Sequence, residues 1–352
     1  MKKRPTIQDV ARLANVSTAT VSHVINATRF VSDGTRQAVL GAIQELNYRP
    51  SALAKGLASS RTRLVGVVLS DIDNPLFRNV YKRIESELSD AGYDLILANT
   101  GEDISRQHSI LDALLSRQVD GLIVAPNYGA CDTDNPLINV RVPVVTIDRR
   151  SLELGFPTIT VNNEEIAYQA ISHLIADGHR RIGFIGGLMD EQGGVSTVVD
   201  RLEGYRRAMQ QHGLDTPDTI VHVRGKAGQS DGYQAALRIL RSDPRPTALF
   251  TTNILLLLGV LHALQELGLR CPDDVGLISF DHDHWTDVYV PPITLVRQPT
   301  EMIGITAVRK LIALIEGEAP LEEAGHVLPC ELLIRGSCSP QCLHRFAEQQ
   351  RT

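Results

Sequence analysis

Residues 6–26 read TIQDVARLANVSTATVSHVIN, and this stretch decides how the chain begins. Thr6 is a good helix N-cap, and Ile7, Val10, Ala11 and Ala14 follow at helical spacing. Asn15-Val16 reads as a tight turn, because Asn tolerates left-handed backbone. Ser17 caps a second helix with Val21, Val24 and Ile25 as its buried stripe. Ser32 or Asp33 caps a third, with Val39, Ile43 and Leu46 facing inward. Three short helices with a three-residue break between the first two fit a helix-turn-helix. Such a unit lays its second helix in the major groove of DNA. Thr18, Ala19, Ser22 and His23 lie on the polar side or near the start of that helix. His23 can donate to a guanine acceptor, and Thr18 and Ala19 can touch a thymine methyl. A generic three-helix bundle is the competing reading of the pattern alone.

The charge distribution separates these alternatives further. Residues 1–63 hold ten Lys/Arg against three acids, a net of +7. The remainder holds 25 basic against 38 acidic residues, a net of −13, so the overall −6 conceals an asymmetry. A basic head on an acidic body suits a polyanionic partner for the head. A chain of 352 residues with 43% apolar and 22% charged content can bury sizeable cores and exceeds one small domain. No apolar run reaches the ~18 residues of a membrane span. The start, MKKRPTIQDVARLANVS, is basic without the apolar stretch of an export signal, which points to the cytoplasm. Five cysteines, an odd number, are too few for a disulfide framework. No repeat of 20–50 residues is visible.

TIQDVARLANVSTATVSHVIN, then VS at 31–32, then LNYRPSALAKGL at 46–57, closely resembles the head of the lactose-repressor and purine-repressor (LacI/GalR) family of transcriptional regulators. The likeness implies that Thr18, Ala19 and His23 read bases and that Thr6, Ser17, Ser22 and Tyr48 lie near phosphates. It also makes residues 50–57 similar to the family's hinge helix, which orders when two copies pair on DNA. About two turns with Gly56 inside cannot be stable alone. By the same likeness Leu57 is the wedge into the minor groove, with Lys55, Ser51 and Ala54 on the same DNA-facing segment. Residues 58–60 read as a flexible join, so the division expected is a head of 1–49, a hinge of 50–63 and a body of 64–338.

After Arg63, short apolar runs alternate with amphipathic helices. Runs at 64–70, 93–98, 121–126 and 142–147 form one set, and runs at 158–162, 181–186, 219–223, 247–252 and 275–280 a second. Alternation of this kind means parallel sheets covered by helices, an α/β class. There are too many strands for one sheet, so two lobes are expected, 64–160 and 163–290. ITLVRQP (293–299) with the following helix is expected to return to the first lobe, giving it 293–322. HVLPCELLIRG (326–336) is expected to return to the second, giving it 326–338, with 339–352 as a flexible tail. Ligands of such sheets sit at the carboxyl ends of the strands, so a cleft between lobes is the default site.

The family likeness extends through NPLF (74–77), VDGLIV (119–124), GHRRIGFIGG (178–187), RLEGYRRAM (201–209) and PPITLVRQP (291–299). It implies the fold of periplasmic sugar-binding proteins, two Rossmann-like lobes joined by three crossing strands. It places Arg201 and Asp281 in the cleft, where a guanidinium fork and a carboxylate can hold ligand hydroxyls. Taken alone, Arg201 is equally an exposed helix-start residue and Asp281 a turn residue. Asp73, Phe77, Asn127, Asp148, Arg149, Thr197 and Asn253 are the further effector-binding candidates, and Phe77 reads nearly as well as core. Trp285 lies four residues beyond Asp281 and either stacks on a sugar face or is partly buried at a lobe surface.

Three departures narrow the ligand. Ile254 stands where the family usually has Asp, opening an apolar run that is a cleft wall or plain core. Val195 and Ala227 occupy the positions of an Arg and a Phe in the purine-binding branch, which argues against a purine.

Enzyme motifs fail on spacing. Lys226 lacks the Walker A glycine and following Ser/Thr, the glycines of 183–194 do not keep GxGxxG, and no GxSxG is present. Asp281-His282-Asp283-His284 splays its side chains on a turn, and Cys338-x3-Cys342-x-His344 has poor zinc spacing, so no metal and no cofactor are expected. The sequence therefore reads as a homodimeric, operator-binding repressor answering a sugar or sugar acid. A corepressor-dependent regulator and a solute-binding protein are the alternatives.

Overall fold

A computed structural model of the chain describes residues 5–26, 29–48, 61–127, 136–150, 155–187, 189–190, 193–214, 217–223, 226–318 and 325–349. The chain divides into two compact units, Met1–Thr62 and Arg63–Thr352. The first unit holds α1 (Ile7–Leu13), α2 (Thr18–Asn26) and α3 (Asp33–Leu46). Thr6 closes a capping box on α1: its side chain accepts from the Asp9 amide while its own amide donates to Asp9 Oδ2 at 2.9 Å. Asn15 sits at φ 51°, and the Val16 amide donates back to the Ala11 carbonyl, which makes the break between α1 and α2. Ser17 Oγ accepts from the Thr20 amide at 3.1 Å and so caps α2. Val10, Ala11, Val21, Val24, Val39 and Ala42 are the core. The expected hinge residues Ser51, Ala54, Lys55 and Leu57 lie outside the described residues.

The second unit opens with β1 (Leu64–Leu69), α4 (Pro75–Asp90), β2 (Asp94–Asn99), α5 (Ile104–Ser116), β3 (Gly121–Val124), β4 (Val144–Ile147) and β5 (Thr158–Val161). It continues through α6 (Asn163–Ala176), β6 (Ile182–Gly186), a small ribbon of β7 (Met189–Asp190) and β8 (Gly193–Gly194), α7 (Ser196–Gln211), β9 (Ile220–His222) and α8 (Gln229–Leu240). Then come β10 (Ala248–Thr251), α9 (Ile254–Leu267), β11 (Gly276–Phe280), the short α10 (Trp285–Val288), β12 (Thr294–Arg297), α11 (Thr300–Glu316), β13 (His326–Leu328), β14 (Glu331–Leu333) and α12 (Pro340–Gln349). One sheet runs β13-β5-β4-β3-β1-β2 and the other β14-β12-β11-β10-β6-β9. Every pairing in them is parallel except β12 with β14. Central strands such as β1 and β11 are mostly apolar and buried but for Leu64 at the start of β1, as sheets covered on both faces require.

Two expectations about the late chain are corrected. Thr294–Arg297 stays in the second sheet, parallel to β11, and the crossing to the first lobe comes only after it. The α11 helix then buries Ile303, Ala307, Val308 and Leu311 in the first lobe's core, as expected. His326–Leu328 pairs with β5 in the first sheet, and only Glu331–Leu333 belongs to the second. A three- or four-residue apolar strand fits either sheet; the chain returns through α10 to lay β12 parallel to β11, and β13 joins the first sheet's edge only after α11. The segment expected as a flexible tail forms α12, with Cys342 1% exposed. Ser339 caps it through its Oγ, 3.1 Å from the Cys342 amide, and Pro340 takes the first turn, where its missing N–H costs nothing.

The second lobe packs α8 on α9 through facing glycines. A Cβ at Gly259 would lie 2.2 Å from the Gln229 carbonyl oxygen and 2.3 Å from the Tyr233 nitrogen. Both are backbone atoms and cannot swing aside. Gly259→Ala is expected to lower the free energy of urea unfolding by about 1–3 kcal/mol. An unchanged midpoint would show that the two helices do not need this approach.

Candidate functional site

The first unit presents one coherent polar face. Thr18 and Ala19 on α2 are exposed, and Ser22 and His23, one turn later, are half-buried. At 3.6 residues per turn these four share an arc opposite the buried Val21 and Val24. Thr6 and Ser17 are exposed at the starts of α1 and α2, and Tyr48 packs partly against the core. Phe30, passed over in the sequence, is 97% exposed.

In the second unit, loops at the carboxyl ends of both sheets enclose a cleft of about 520 Å³, part of it open to solvent. Asp148 ends β4 of the first sheet and Asp281 ends β11 of the second, at φ 67° and 72°. Non-glycine residues rarely hold that conformation, and such backbone concentrates at functional sites. Arg201, on α7, is 4% exposed. Its Nε donates to Asn163 Oδ1 at 2.8 Å and its Nη1 to the Thr252 carbonyl at 2.5 Å, and its guanidinium carbon lies 3.7 Å from the centre of the Phe280 ring. Burial lowers the Arg201 pKa, and the charges of Asp281 and Asp148 oppose that shift. Burial likewise raises Asp148 above the usual carboxylate range, with Arg149 and Arg201 pulling it back. Asp281 accepts from Gln298 Nε2 at 2.7 Å.

Of the expected effector residues, Phe77, Asp148, Arg149, Thr197, Arg201, Asn253 and Asp281 all line this cleft. Two of them are largely committed elsewhere. Arg149 makes a forked pair with Glu102, at 2.7 and 2.6 Å. Asn253 caps α9, its Oδ1 accepting from the Leu256 amide at 2.8 Å while its Nδ2 donates to the Ala227 carbonyl. Phe77 is both cleft wall and core, 3% exposed. Within the apolar run, Ile254, Leu256 and Leu257 are core and Leu255 lines the cleft.

Three expectations fall outside it. Asp73 is exposed and donates its amide to Asp71 Oδ1, and it is Asp71 that faces the cleft. Asn127 is held against Thr100 and Gln107. Trp285 is partly buried against the core around α8 and α9 and does not line the cleft. The sequence reading missed Glu102, Lys226 and Thr252, all in the cleft lining. The Thr252 hydroxyl is buried with no protein partner among the described residues.

The comparisons agree with this architecture. Residues 6–51 match the bacterial regulatory proteins of the lacI family, and residues 171–338 match the periplasmic binding protein-like domain. The chain is 36% identical over 317 residues to the HTH-type transcriptional repressor PurR of Aliivibrio salmonicida (strain LFI1238), covering 88% of this chain and 92% of that one. It superimposes with a TM-score of 0.81 on the lac repressor dimer bound to operator and the anti-inducer ONPF, at 26% identity over 96% of this chain and 100% of that one. A putative ribose operon repressor from Burkholderia thailandensis gives a TM-score of 0.69 at 36% identity, covering 78% and 99% of the two chains.

Burial pushes the Asp281 carboxyl from 3.8 up to about 6, against the pull of Arg201 and the Gln298 hydrogen bond. Between these values the folded chain holds a proton that the unfolded chain has released. Its contribution to stability is therefore complete below the unfolded value and is lost as pH rises through about 6. Asp281→Asn removes the titration. The variant's unfolding free energy relative to the parent is expected to rise by about 3 kcal/mol from about pH 4 to about pH 7. A difference independent of pH would mean that Asp281 ionises as an ordinary aspartate.

Proposed function

Because the chain belongs to the LacI family of bacterial regulatory proteins, we propose that it represses transcription as a homodimer on a pseudo-palindromic operator and that a neutral, polyhydroxylated ligand in the cleft sets its operator affinity. The chain is a DNA-binding transcriptional regulator under effector control. The operator is read by Thr18, Ala19 and His23, with Thr6, Ser17, Ser22 and Tyr48 at the phosphates. The +7 head makes binding steeply salt-dependent. The dimer and the operator follow the assembly of the lac repressor. No described helix is long and apolar enough to cross a membrane. The proposed work on operator DNA is work done in the cytoplasm.

The observation that carries the ligand class is the charge lining the cleft. Asp71, Glu102, Asp148 and Asp281 outnumber Arg149, Arg201 and Lys226, and Glu102 is spent on Arg149. The remaining carboxylates accept from hydroxyls, and a further anion beside Asp148 and Asp281 would be repelled. A sugar therefore fits better than a sugar acid. Val195 and Ala227 in the same lining leave a purine without the Arg and Phe of the purine-binding branch. The reading is of a binding protein and not an enzyme, supported by how the cleft groups satisfy one another: Arg201 on Asn163 and Thr252, Asp281 on Gln298.

Removing the Arg201 charge altogether would leave Asp281 with only the Gln298 hydrogen bond and Asp148 with Arg149, at a cost of about 3–5 kcal/mol. Arg201→Lys keeps the charge and loses the fork. It is expected to bind the operator as the parent does, by fluorescence anisotropy at fixed salt. The sugar concentration needed for half-release should rise by about 10–100-fold, the loss of one or two charge-assisted hydrogen bonds. An unchanged response would remove Arg201 from the effector site.

A further inference from the structure

The C-terminal lobe holds a second cluster of reactive side chains, on the side of α6 away from its Asn163 end. Cys338 and Cys342 are 0% and 1% exposed. His173 enters from the last turns of α6, and its ring nitrogen, Cys338 Sγ and Cys342 Sγ lie within 4.8 Å of one another. His173 Nε2 is 3.4 Å from Cys342 Sγ. Asp177, one turn further along α6, accepts from Cys342 Sγ at 2.8 Å and lies 3.7 Å from His173 Nε2. Arg345 Nη2 stands 2.7 Å from Asp177 Oδ1 and 3.3 Å from Cys342 Sγ. Ser339 Oγ donates to Asp177 Oδ2 at 2.8 Å.

We propose that His173, Cys338 and Cys342 bind a zinc-like divalent cation as three protein ligands, with the Asp177 carboxylate beside Cys342 and His173 as an outer partner. Sulfur at ~2.3 Å and nitrogen at ~2.0 Å from one tetrahedral centre stand about 3.5 Å apart, close to the separation already present between His173 and Cys342. Two thiols and an imidazole form a donor set suited to a borderline-soft ion. His173 is what distinguishes this arrangement from a simple dithiol, since a disulfide has no use for an imidazole. It comes from 165 residues before Cys338 in the chain, which is why the Cys338–Cys342–His344 spacing misleads; His344 is exposed on the other side of α12. On binding, the two thiol protons leave to solvent and the cation bonds the two thiolates and the His173 nitrogen. Arg345 hydrogen-bonds Asp177 and one sulfur, which fixes their orientation as the outer partners of metal sites do. The cation would pin α12 and the segment before it to α6.

The test uses the full-length protein, reduced and stripped with a chelator, then titrated with Co2+ and with Zn2+ alone. One equivalent of Co2+ should give thiolate-to-cobalt charge-transfer absorption and tetrahedral visible bands, displaced by Zn2+. Zn2+ should also raise the thermal midpoint. Cys342→Ser and His173→Gln should lose that equivalent, and Asp177→Asn should weaken it by about 10–100-fold. Circular dichroism and operator binding of each variant report whether it folds. Absence of the absorption from the parent protein would overturn the proposal. So would equal uptake by parent and both ligand variants, or a mapped Cys338–Cys342 disulfide in a protein that takes up no metal after reduction.

Discussion

A guanidinium that is 4% exposed must be balanced on the spot, and Arg201 is balanced from both sides. Asp148 reaches it from the end of the first sheet and Asp281 from the end of the second. Asp148 also has Arg149 at 3.4 Å, whereas Asp281 depends on Arg201 for its opposite charge, because an isolated charge in an apolar setting is costly. Both aspartates are also held in left-handed backbone, which the surrounding sheets must enforce. The cleft is thus an electrostatic joint between the lobes before any ligand arrives.

The rest of the lobe contact has the same character. Arg150, beyond β4, forks onto Asp200 of α7 at 2.6 Å, and its amide donates to Ser196 Oγ at 3.0 Å. Arg78 of α4 faces Asp283 at 3.4 Å. Partly exposed pairs of this kind contribute little each. The apolar clusters stay within their own lobes, and the chain passes between lobes only at residues 161–163, 297–300 and 328–331. Three crossing segments and a set of polar pairs therefore join the two sheets.

Much of this was legible in the sequence where the signal is local. The head follows from a 3.6-residue period and from Thr6, Asn15 and Ser17 at positions where only caps and turns favour them. The body's strands follow from apolar runs too short for helices. What escaped was non-local. Nothing in ITLV or HVL says which sheet edge it joins, because that depends on where the preceding crossing delivers it. Asp73 and Asn127 have the right chemistry beside the right strands, but a turn spends one outward and Thr100 and Gln107 hold the other. Glu102 and Lys226 were recoverable by treating every strand end alike: each is a charge just past an apolar run, after β2 and β9. The donor set around Cys342 was not recoverable, since His173 is brought there only by the packing of α12 on α6.

The placement of the cleft residues also constrains how a ligand can act. An effector shifts an equilibrium only by its difference in affinity for the two states, so a molecule touching one lobe alone would bind without consequence. Here the polar groups are split. Asp71 and Asp148 come from the first lobe as acceptors, and Thr197, the donor Arg201 and the acceptor Asp281 from the second. The proposed polyhydroxylated ligand would satisfy both sets only with the lobes closed, and each hydroxyl bonded on the far side would add to the preference for closure. On the proposed reading, a few such bonds would supply the 1–3 kcal/mol typical of coupling between sites. The same bonds would orient the ligand, so selectivity and signalling would draw on one set of contacts. On the proposed reading, a ligand lacking a single hydroxyl would lose affinity and coupling together, because it would leave a buried carboxylate or the Thr252 hydroxyl unpaired.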